Sequence, residues 1–440
     1  RDDMFFPVIP EKLSEIESCS GITGKLLQIE SFSGITDIRG DIMKNRDFYL
    51  SQLIDYRDKP LIKVITGIRR SGKSTLLSLF EKYLLDEKVD EKHIIRMNFE
   101  SFELDEIQDY KKLHQYIDER LLHKEDKYYI LLDEIQRVSS WERVINALLV
   151  DANVDIYITG SNAYLLSSEL STFLSGRYVE IKMQPLSFKE YLDFRGDSVD
   201  LGTAFNQYVE YGGLPTVVEL IDNPKTIGPF LEGVYNTVLF KDVVARNAIR
   251  DAALLENILK FIGGNIGNIV STKKIADYLT SSGRKTNSEI IDNYLKMLEN
   301  AFIIYKANRY DLKGKRLLKT LGKYYMVDTG IRNQLTRLGN TDYGHILENI
   351  VFFELVRRGY EVTIGKIGDK EIDFVASKAK EIIYYQVCAT IMDEKTRDRE
   401  LEPLMTLTDH YPKYILTMDQ MVYRDFEGIR IKNIIDFLLE

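Results

Sequence analysis

Cysteine is nearly missing from this 440-residue sequence. Cys19 and Cys388 are its only two, too few for a disulfide framework, and neither sits in a CxxC or Cys/His spacing that would hold zinc. A reducing, cytoplasmic setting fits that usage. Histidine is scarce as well: His93, His114, His123, His345 and His410 lie far apart with no i, i+4 pair, so each reads as a surface or packing residue and not as a metal ligand. No stretch reaches the run of about 18 apolar residues that a membrane span needs, and the N-terminus is acidic where a secretory signal would be basic and then apolar. The sequence therefore predicts a soluble, unexported protein with no membrane partner. Positive charge is also short, with 59 Lys and Arg facing 68 Asp and Glu for a formal net charge of -9. That excludes a polybasic coat and leaves any basic surface to local segments.

What is present is ordinary globular composition, 44% hydrophobic and 29% charged, at a length that suggests about three domains. Residues 1–42 carry four Lys/Arg against eight Asp/Glu and repeat Ser-Gly-Ile-Thr at positions 20 and 33 without sustained periodicity. They read as an N-terminal extension, disordered or non-native, with Met43 as the expected natural start. From Leu61 the pattern alternates. Apolar strands at 61–66, 94–99, 128–132 and 155–159 are separated by helix-length segments at 74–85, 106–123 and 141–150, which predicts an α/β domain with a parallel sheet over residues 43–190. Helical periodicity at 188–194, 203–211, 227–245 and 252–263, broken by the Gly212-Gly213-Leu214-Pro215 turn, predicts a helical annex over 191–250.

The chemistry enters at Gly67-Ile68-Arg69-Arg70-Ser71-Gly72-Lys73-Ser74, which matches G-x-x-x-x-G-K-[ST] directly after the first strand and at the opening of the first helix. Such a loop turns successive N–H groups inward around phosphate oxygens, and the helix N-terminus adds its positive dipole end. The loop from Gly67 through Thr75 is thus the expected ATP site. Lys73 would reach the β- and γ-phosphates, and the Ser74 hydroxyl would ligate Mg²⁺. Sixty residues on, the apolar strand Tyr128–Leu132 ends in Asp133 and Glu134: Asp133 is expected in the Mg²⁺ shell, and Glu134 to orient or activate the attacking water. A further strand inserted between the loop strand and the acidic strand would mark the NTPases with a catalytic Glu. Asn162, after the strand Asp155–Thr159, is expected to contact the γ-phosphate or the water, with a turn-forming Asn as the plainer alternative. Arg177 is a candidate arginine finger, acting within the chain or on a neighbour in a homo-oligomer.

On these residues, together with Leu132-Asp133-Glu134-Ile135-Gln136, Thr159-Gly160-Ser161-Asn162, Ser175-Gly176-Arg177 and Pro185-Leu186-Ser187-Phe188, the chain resembles the prokaryotic AAA-like P-loop ATPases joined to a C-terminal domain of unknown function. The resemblance covers about Met43 to Glu440. It implies the nucleotide machinery and leaves its task open.

Residues 251–330 hold 13 Lys and Arg against 8 Asp and Glu, the reverse of the chain as a whole. A Ser271-Thr272 cap, helices at 273–280 and 287–300, an apolar strand at 302–305 and a basic ribbon to Leu318 read as a winged helix-turn-helix. Lys285, Asn287 and Ser288 would face a major groove of double-stranded DNA, while Arg309, Lys313, Lys315 and Arg316 would touch phosphates. The competing reading is a protein-docking module with a solvated hairpin.

The last segment, 331–440, is similar to the PD-(D/E)xK nuclease core, a restriction-endonuclease-like α/β domain. The resemblance makes Glu348, on a helix from Leu347, and Asp373, on a strand, the metal-binding positions. Gln386 stands where the third ligand belongs and Cys388 where the lysine belongs, which implies a degenerate nuclease fold used for binding or assembly. Lys378 and Lys395 are the nearest substitute lysines in sequence. Three functions stay open: an Mg²⁺-dependent ATPase coupling nucleotide state to DNA or a partner, an ATP-gated switch with slow turnover, and an ATP-regulated nuclease.

Overall fold

Alternate residues of the β-branched runs point to opposite faces, and here both faces are covered. In a computed structural model of the protein, which describes residues 46–161, 174, 176–196, 199–336, 343–420 and 425–440 with short pieces at 35–36 and 42–44, the runs β1 (Ile62–Thr66), β2 (Ile94–Asn98), β3 (Tyr128–Asp133), β4 (Val154–Gly160) and β5 (Tyr178–Lys182) pair in parallel. Their order is β2-β3-β4-β1-β5, so β4 does lie between the loop strand and the acidic strand. Ile62, Val64, Ile130 and Leu132 pack on one face with Trp141, Val144 and Leu148. Ile65, Tyr129 and Leu131 pack on the other with Leu77 and Phe80. Burial on both faces is why β3 is apolar up to Asp133 and β1 is polar only at Lys63 and Thr66.

Two details depart from the sequence reading. The strand β5 was not anticipated, because it is an edge strand whose only buried residue is Ile181 and it offers no apolar run to detect. The helix expected over 106–123 is confined to Tyr110–Asp118, where the Asp109 side chain accepts from the N–H groups of Lys111 and Lys112 and caps the first turn. The pairs Ile35–Thr36 and Ile42–Met43 form a short antiparallel ladder within a unit, Arg1–Lys44, separate from Asn45–Glu440.

Beyond the sheet, Pro185-Leu186-Ser187-Phe188 is a joint. Ser187 and Glu190 form a capping box that starts the helix Phe188–Arg195. The Pro185 carbonyl accepts from Arg357 at 3.0 Å and from Arg46 at 3.4 Å, and Arg46 also donates to the Ser71 carbonyl in the phosphate loop at 3.0 Å. The turn at Gly212-Gly213 is fixed by Asp328, whose carboxylate accepts from Gly213 N–H at 2.7 Å and from Ile331 N–H at 3.0 Å. Gly212 has φ +83°, and a Cβ there would lie 2.2 Å from Asp328 Oδ1, so the position tolerates no side chain.

Burial pushes the Asp328 carboxyl up to about 6 in spite of those donors. Because the folded value exceeds the unfolded one, near 3.9, its contribution to stability is full below about pH 4 and is lost as pH climbs through about 6. Asp328→Asn cannot titrate. Its stability deficit against wild type should therefore shrink by about 2 kcal/mol between about pH 4 and about pH 6.5 in urea unfolding. A deficit constant with pH would show that Asp328 is ionised throughout.

The helical region runs through Ile227–Asn236 into a π-helix, Thr237–Ala245, and on to Ala252–Gly263. Two helices follow, Thr272–Ser281, capped by Ser271, and Ser288–Asn300, capped by Asn287. A second sheet then begins at β6 (Ile269–Val270), β7 (Ile304–Asp311) and β8 (Arg316–Met326), and continues through β9 (Glu361–Ile367), β10 (Lys370–Lys378), β11 (Glu381–Cys388), β12 (Lys413–Thr417), β13 (Asp425–Phe426) and β14 (Ile429–Asn433). The order is β13-β14-β12-β11-β10-β9-β7-β8-β6. The hairpin β7–β8 is thus built into the C-terminal sheet, with β7 pairing parallel to β9 through Arg309↔Ile364 and Tyr310↔Gly365. The sheet crosses the boundary expected at residue 330. Neither β14 nor the helix Glu394–Met405 was foreseen: the first is a five-residue run with only Ile429 and Ile431 buried, and the second is dense in charge with Pro403 inside.

Candidate functional site

The phosphate loop leaves the C-terminal end of β1 with Gly67 at φ +144° and turns into the helix Lys73–Asp86 through Gly72 at φ +98°. A Cβ on Gly67 would lie 2.0 Å from the Met183 carbonyl oxygen, so the glycine is required by close backbone approach. The Ile68 side chain is buried in the hydrophobic core formed by the annex, which anchors the loop from outside the sheet. Lys73 is buried and curls back, its ammonium donating to the carbonyls of Gly67 at 3.1 Å and Ile68 at 3.0 Å. Burial lowers its pKa, and the carboxylates of Glu134 and Asp133 oppose that shift. Ser74 and Thr75 are exposed at the start of the helix, and Arg70 is exposed at φ +68°.

The acidic pair stands at the end of β3. Thr159 on the neighbouring strand links the two: its hydroxyl donates to Asp133 Oδ1 and accepts the Glu134 N–H at 2.9 Å. Glu134 has φ +57°, unusual for a residue with a side chain and costly unless the surroundings impose it. Its Oε2 accepts from the Ser161 hydroxyl at 3.1 Å and from the Gln136 amide. Asp133 Oδ2 is buried and has no hydrogen-bond partner among the described residues. An orphaned carboxylate oxygen and an exposed helix-start hydroxyl are a donor set that fits Mg²⁺, a hard cation taking oxygen ligands. Asp133 and Ser74 would hold it.

Sequence reasoning missed Thr159, Ser161 and Gln136 as individual contributors, although all three lie inside motifs it quoted. It also missed a clamp on the loop. Arg69 donates to both carboxylate oxygens of Asp242 at 3.1 Å and to Glu100 at 3.0 Å. Burial acts against the guanidinium charge, but Asp242 and Glu100 outweigh it and raise the pKa further. Asp242 is buried on the π-helix, a helix type found mostly at functional sites.

Asn162 falls outside the described residues. Arg177 is exposed and its carbonyl accepts from Ile62 N–H at 2.8 Å. That puts it at the start of β1, a strand length or roughly 16 Å from the loop at the other end, so the within-chain finger is not what this arrangement offers.

In the basic middle, Lys285, Lys313, Lys315 and Arg316 are exposed, and Ser288 is half-buried at the helix start. Asn287 Oδ1 is engaged in capping, accepting Ile290 N–H at 2.9 Å. Arg309 is half-buried inside the sheet with its Nε unpartnered, which corrects its expected place on an open ribbon.

The C-terminal carboxylates do come together, yet around a lysine. Lys323 on β8 donates to Glu348 at 2.8 Å and to Asp373 at 3.2 Å, and pairs with Glu371 at 2.8 Å. Neither Lys378 nor Lys395 fills that role: Lys378 donates to the Arg358 carbonyl at 2.7 Å, and Lys395 is exposed. Burial works against the Lys323 ammonium, but Glu348, Asp373 and Glu371 together raise its pKa. Asp373, buried and beside Glu348, is pushed up to about 7. Among the described residues no group of three or more His, Cys, Asp or Glu side chains is arranged to hold a metal ion. The Lys323 ammonium stands between Glu348 and Asp373, the two positions expected to hold a metal ion.

Known proteins extend this picture. An AAA domain model matches residues 59–192, and a domain of unknown function (DUF8612) matches 202–342. An uncharacterized protein of Haemophilus influenzae is 43% identical over 405 residues, covering 90% of this chain and 99% of the relative. An uncharacterized protein of Methanocaldococcus jannaschii is 32% identical over 362 residues, covering 78% and 77%. A Walker-type ATPase of Pyrococcus abyssi superposes with a TM-score of 0.49 at 17% identity, over 70% of this chain and 99% of its own. Among the described residues no helix is long and apolar enough to cross a membrane.

Proposed function

We propose that this chain, which belongs to one family with its Haemophilus influenzae and Methanocaldococcus jannaschii relatives and carries an AAA domain, binds ATP with Mg²⁺, hydrolyses it, and couples the nucleotide state to double-stranded DNA. The observation that carries the reading is the joint presence of the buried Lys73 in a glycine-hinged loop and the Asp133–Thr159–Glu134 linkage one strand away.

The loop N–H groups and Lys73 neutralise the phosphates, so charge that develops in the transition state meets fixed donors instead of reorganising water. Glu134, held by Ser161 and Gln136, takes the proton of the attacking water as its oxygen bonds to the γ-phosphorus and the bridging oxygen leaves with ADP. Ser74 and Asp133 would hold Mg²⁺, whose charge would help to neutralise the phosphates. The side chain of Asn162 would assist at the γ-phosphate. The place of Arg177, on the sheet edge away from its own loop, favours action on the nucleotide of a second copy.

Arg69 ties the phosphate loop to the π-helix, and the helices after it lead to the basic segment. This is the route by which ATP would alter DNA contact. The exposed Lys313, Lys315 and Arg316 favour phosphate contact over base reading, with Lys285 and Ser288 nearest a groove. The test is steady-state ATP hydrolysis with and without duplex DNA, together with DNA affinity at several salt concentrations. Wild type should hydrolyse ATP with Mg²⁺ and respond to DNA; failure to bind ATP at all would sink the reading. Alanine at Lys313, Lys315 and Arg316 together should reduce the slope of log affinity against log salt by about 2.7. An unchanged slope would turn the hairpin into a protein-docking element.

A further inference from the structure

A cavity of about 630 Å³ opens where the hairpin strand β8 meets the C-terminal strands, lined by Lys323, Glu348, Glu371, Asp373, Gln386 and Glu400 among others. Its acids come from separate elements: Glu348 from the helix Tyr343–Arg357, Glu371 and Asp373 from β10, and Glu400 from the helix Glu394–Met405. Such a gathering in a nuclease-like arrangement ordinarily asks for a divalent ion, and here one cation already stands at its centre.

An ammonium has three N–H donors and no acceptor. Lys323 donates to Glu348 Oε1 at 2.8 Å and to Asp373 Oδ1 at 3.2 Å, and Glu371 Oε1 makes an ion pair with the same ammonium at 2.8 Å. Glu348 and Asp373 have further partners. Tyr325 donates to Glu348 Oε1 at 2.6 Å, His345 Nδ1 lies 3.3 Å from Glu348 Oε2, and Val387 N–H donates to Asp373 Oδ2 at 3.0 Å. Gln386, in the third-ligand position, turns its amide between Asp373 N–H at 3.3 Å and Glu400 Oε2 at 2.8 Å. Glu400 in turn pairs with Arg399 at 2.7 Å.

We propose that the Lys323 ammonium is the resident cation of this cluster, standing where a divalent ion would stand, so that the C-terminal domain binds no divalent metal there and does not cut phosphodiesters. A small dication needs oxygen ligands at about 2.0–2.2 Å, well inside the spacing that the ammonium enforces. It would also sit against a buried positive charge with no low-dielectric escape. The lysine comes from the hairpin and the acids from the segment beyond, so the same contact bolts the two together. The inference is independent of the nucleotide site.

The test uses the full chain, free of nucleotide, carrying Asp133→Asn to silence the other acidic site. Mn²⁺ binding is followed by electron paramagnetic resonance and by the shift in melting temperature. The Lys323-intact protein should retain no Mn²⁺ that depends on Asp373 and show no thermal shift. Lys323→Met, which keeps the packed stem and removes the charge, should gain one ion with at least about tenfold higher affinity and a rise in melting temperature. Adding Asp373→Asn should remove both gains. Two results would overturn the proposal: Mn²⁺ binding or plasmid cleavage by the Lys323-intact protein that disappears with Asp373→Asn, or a folded Lys323→Met protein that gains no ion. Because the first of these reads the intact lysine, the outcome does not hinge on the folding of the variant.

Discussion

Glu134→Gln is expected to lower ATP turnover by roughly 10³-fold, about 4 kcal/mol of transition-state stabilisation, while leaving ATP affinity close to wild type. The substitution keeps shape and hydrogen-bonding capacity, so Ser161 and Gln136 can still hold the side chain. What it removes is the ability to take a proton from water. Lys73→Ala differs in kind, since it deletes the ammonium proposed to meet the phosphates and should abolish binding and turnover together. Nucleotide affinity by fluorescence and phosphate release by a coupled assay separate the two variants. If Glu134→Gln hydrolyses ATP normally, the proton acceptor is another group, and the linkage through Thr159 is only structural.

Asp155→Ala is expected to destabilise the protein by about 3–5 kcal/mol. Asp155 and Lys63 face each other from neighbouring strands β4 and β1, both essentially without solvent exposure. Asp155 also accepts the Asp58 N–H at 2.8 Å and the Tyr157 hydroxyl at 2.9 Å, and Lys63 donates to the Lys59 carbonyl at 3.1 Å. Removing the carboxylate leaves an ammonium in the sheet with one remaining acceptor. Burial already lowers the Lys63 pKa with Asp155 present, so in the variant the lysine should give up its proton, and unfolding should become steeply pH-dependent. The double variant Lys63→Met, Asp155→Leu should recover most of the loss, because no charge is then buried. Equal losses in the single and double variants, by chemical denaturation, would locate the cost in packing instead.

The parts of the site legible in the sequence are those whose chemistry is local. The loop Gly67–Thr75 and the pair Asp133–Glu134 are contiguous, and their residue types follow from what a phosphate and a strand end demand. The parallel sheet was legible for the same reason, since strands covered on both faces are apolar over most of their length, the buried polar residues Lys63 and Asp155 being paired with each other. Contacts across long stretches were not. Arg69 and Asp242 are 173 residues apart, Lys323 and Asp373 are 50 apart, and nothing in the immediate neighbourhood of either residue marks the pairing. Edge strand β5 escaped because half-exposure gives no distinctive pattern. Lys323 was counted among the 13 Lys and Arg of residues 251–330, where it added to a positive surface. In the structure it is buried and paired with acids, so that segment is less basic than its composition.

The shared strand pairing of β7 and β9 has a consequence for how this chain can change through recombination. A basic hairpin on its own hinge could be exchanged between proteins as a cassette. Here, a cut after residue 330 would strip β7 of its parallel neighbour and bare a row of N–H and C=O groups ready to pair with any other chain. The hairpin and the segment that follows it are therefore heritable only as one piece, since neither keeps a closed set of strand partners without the other.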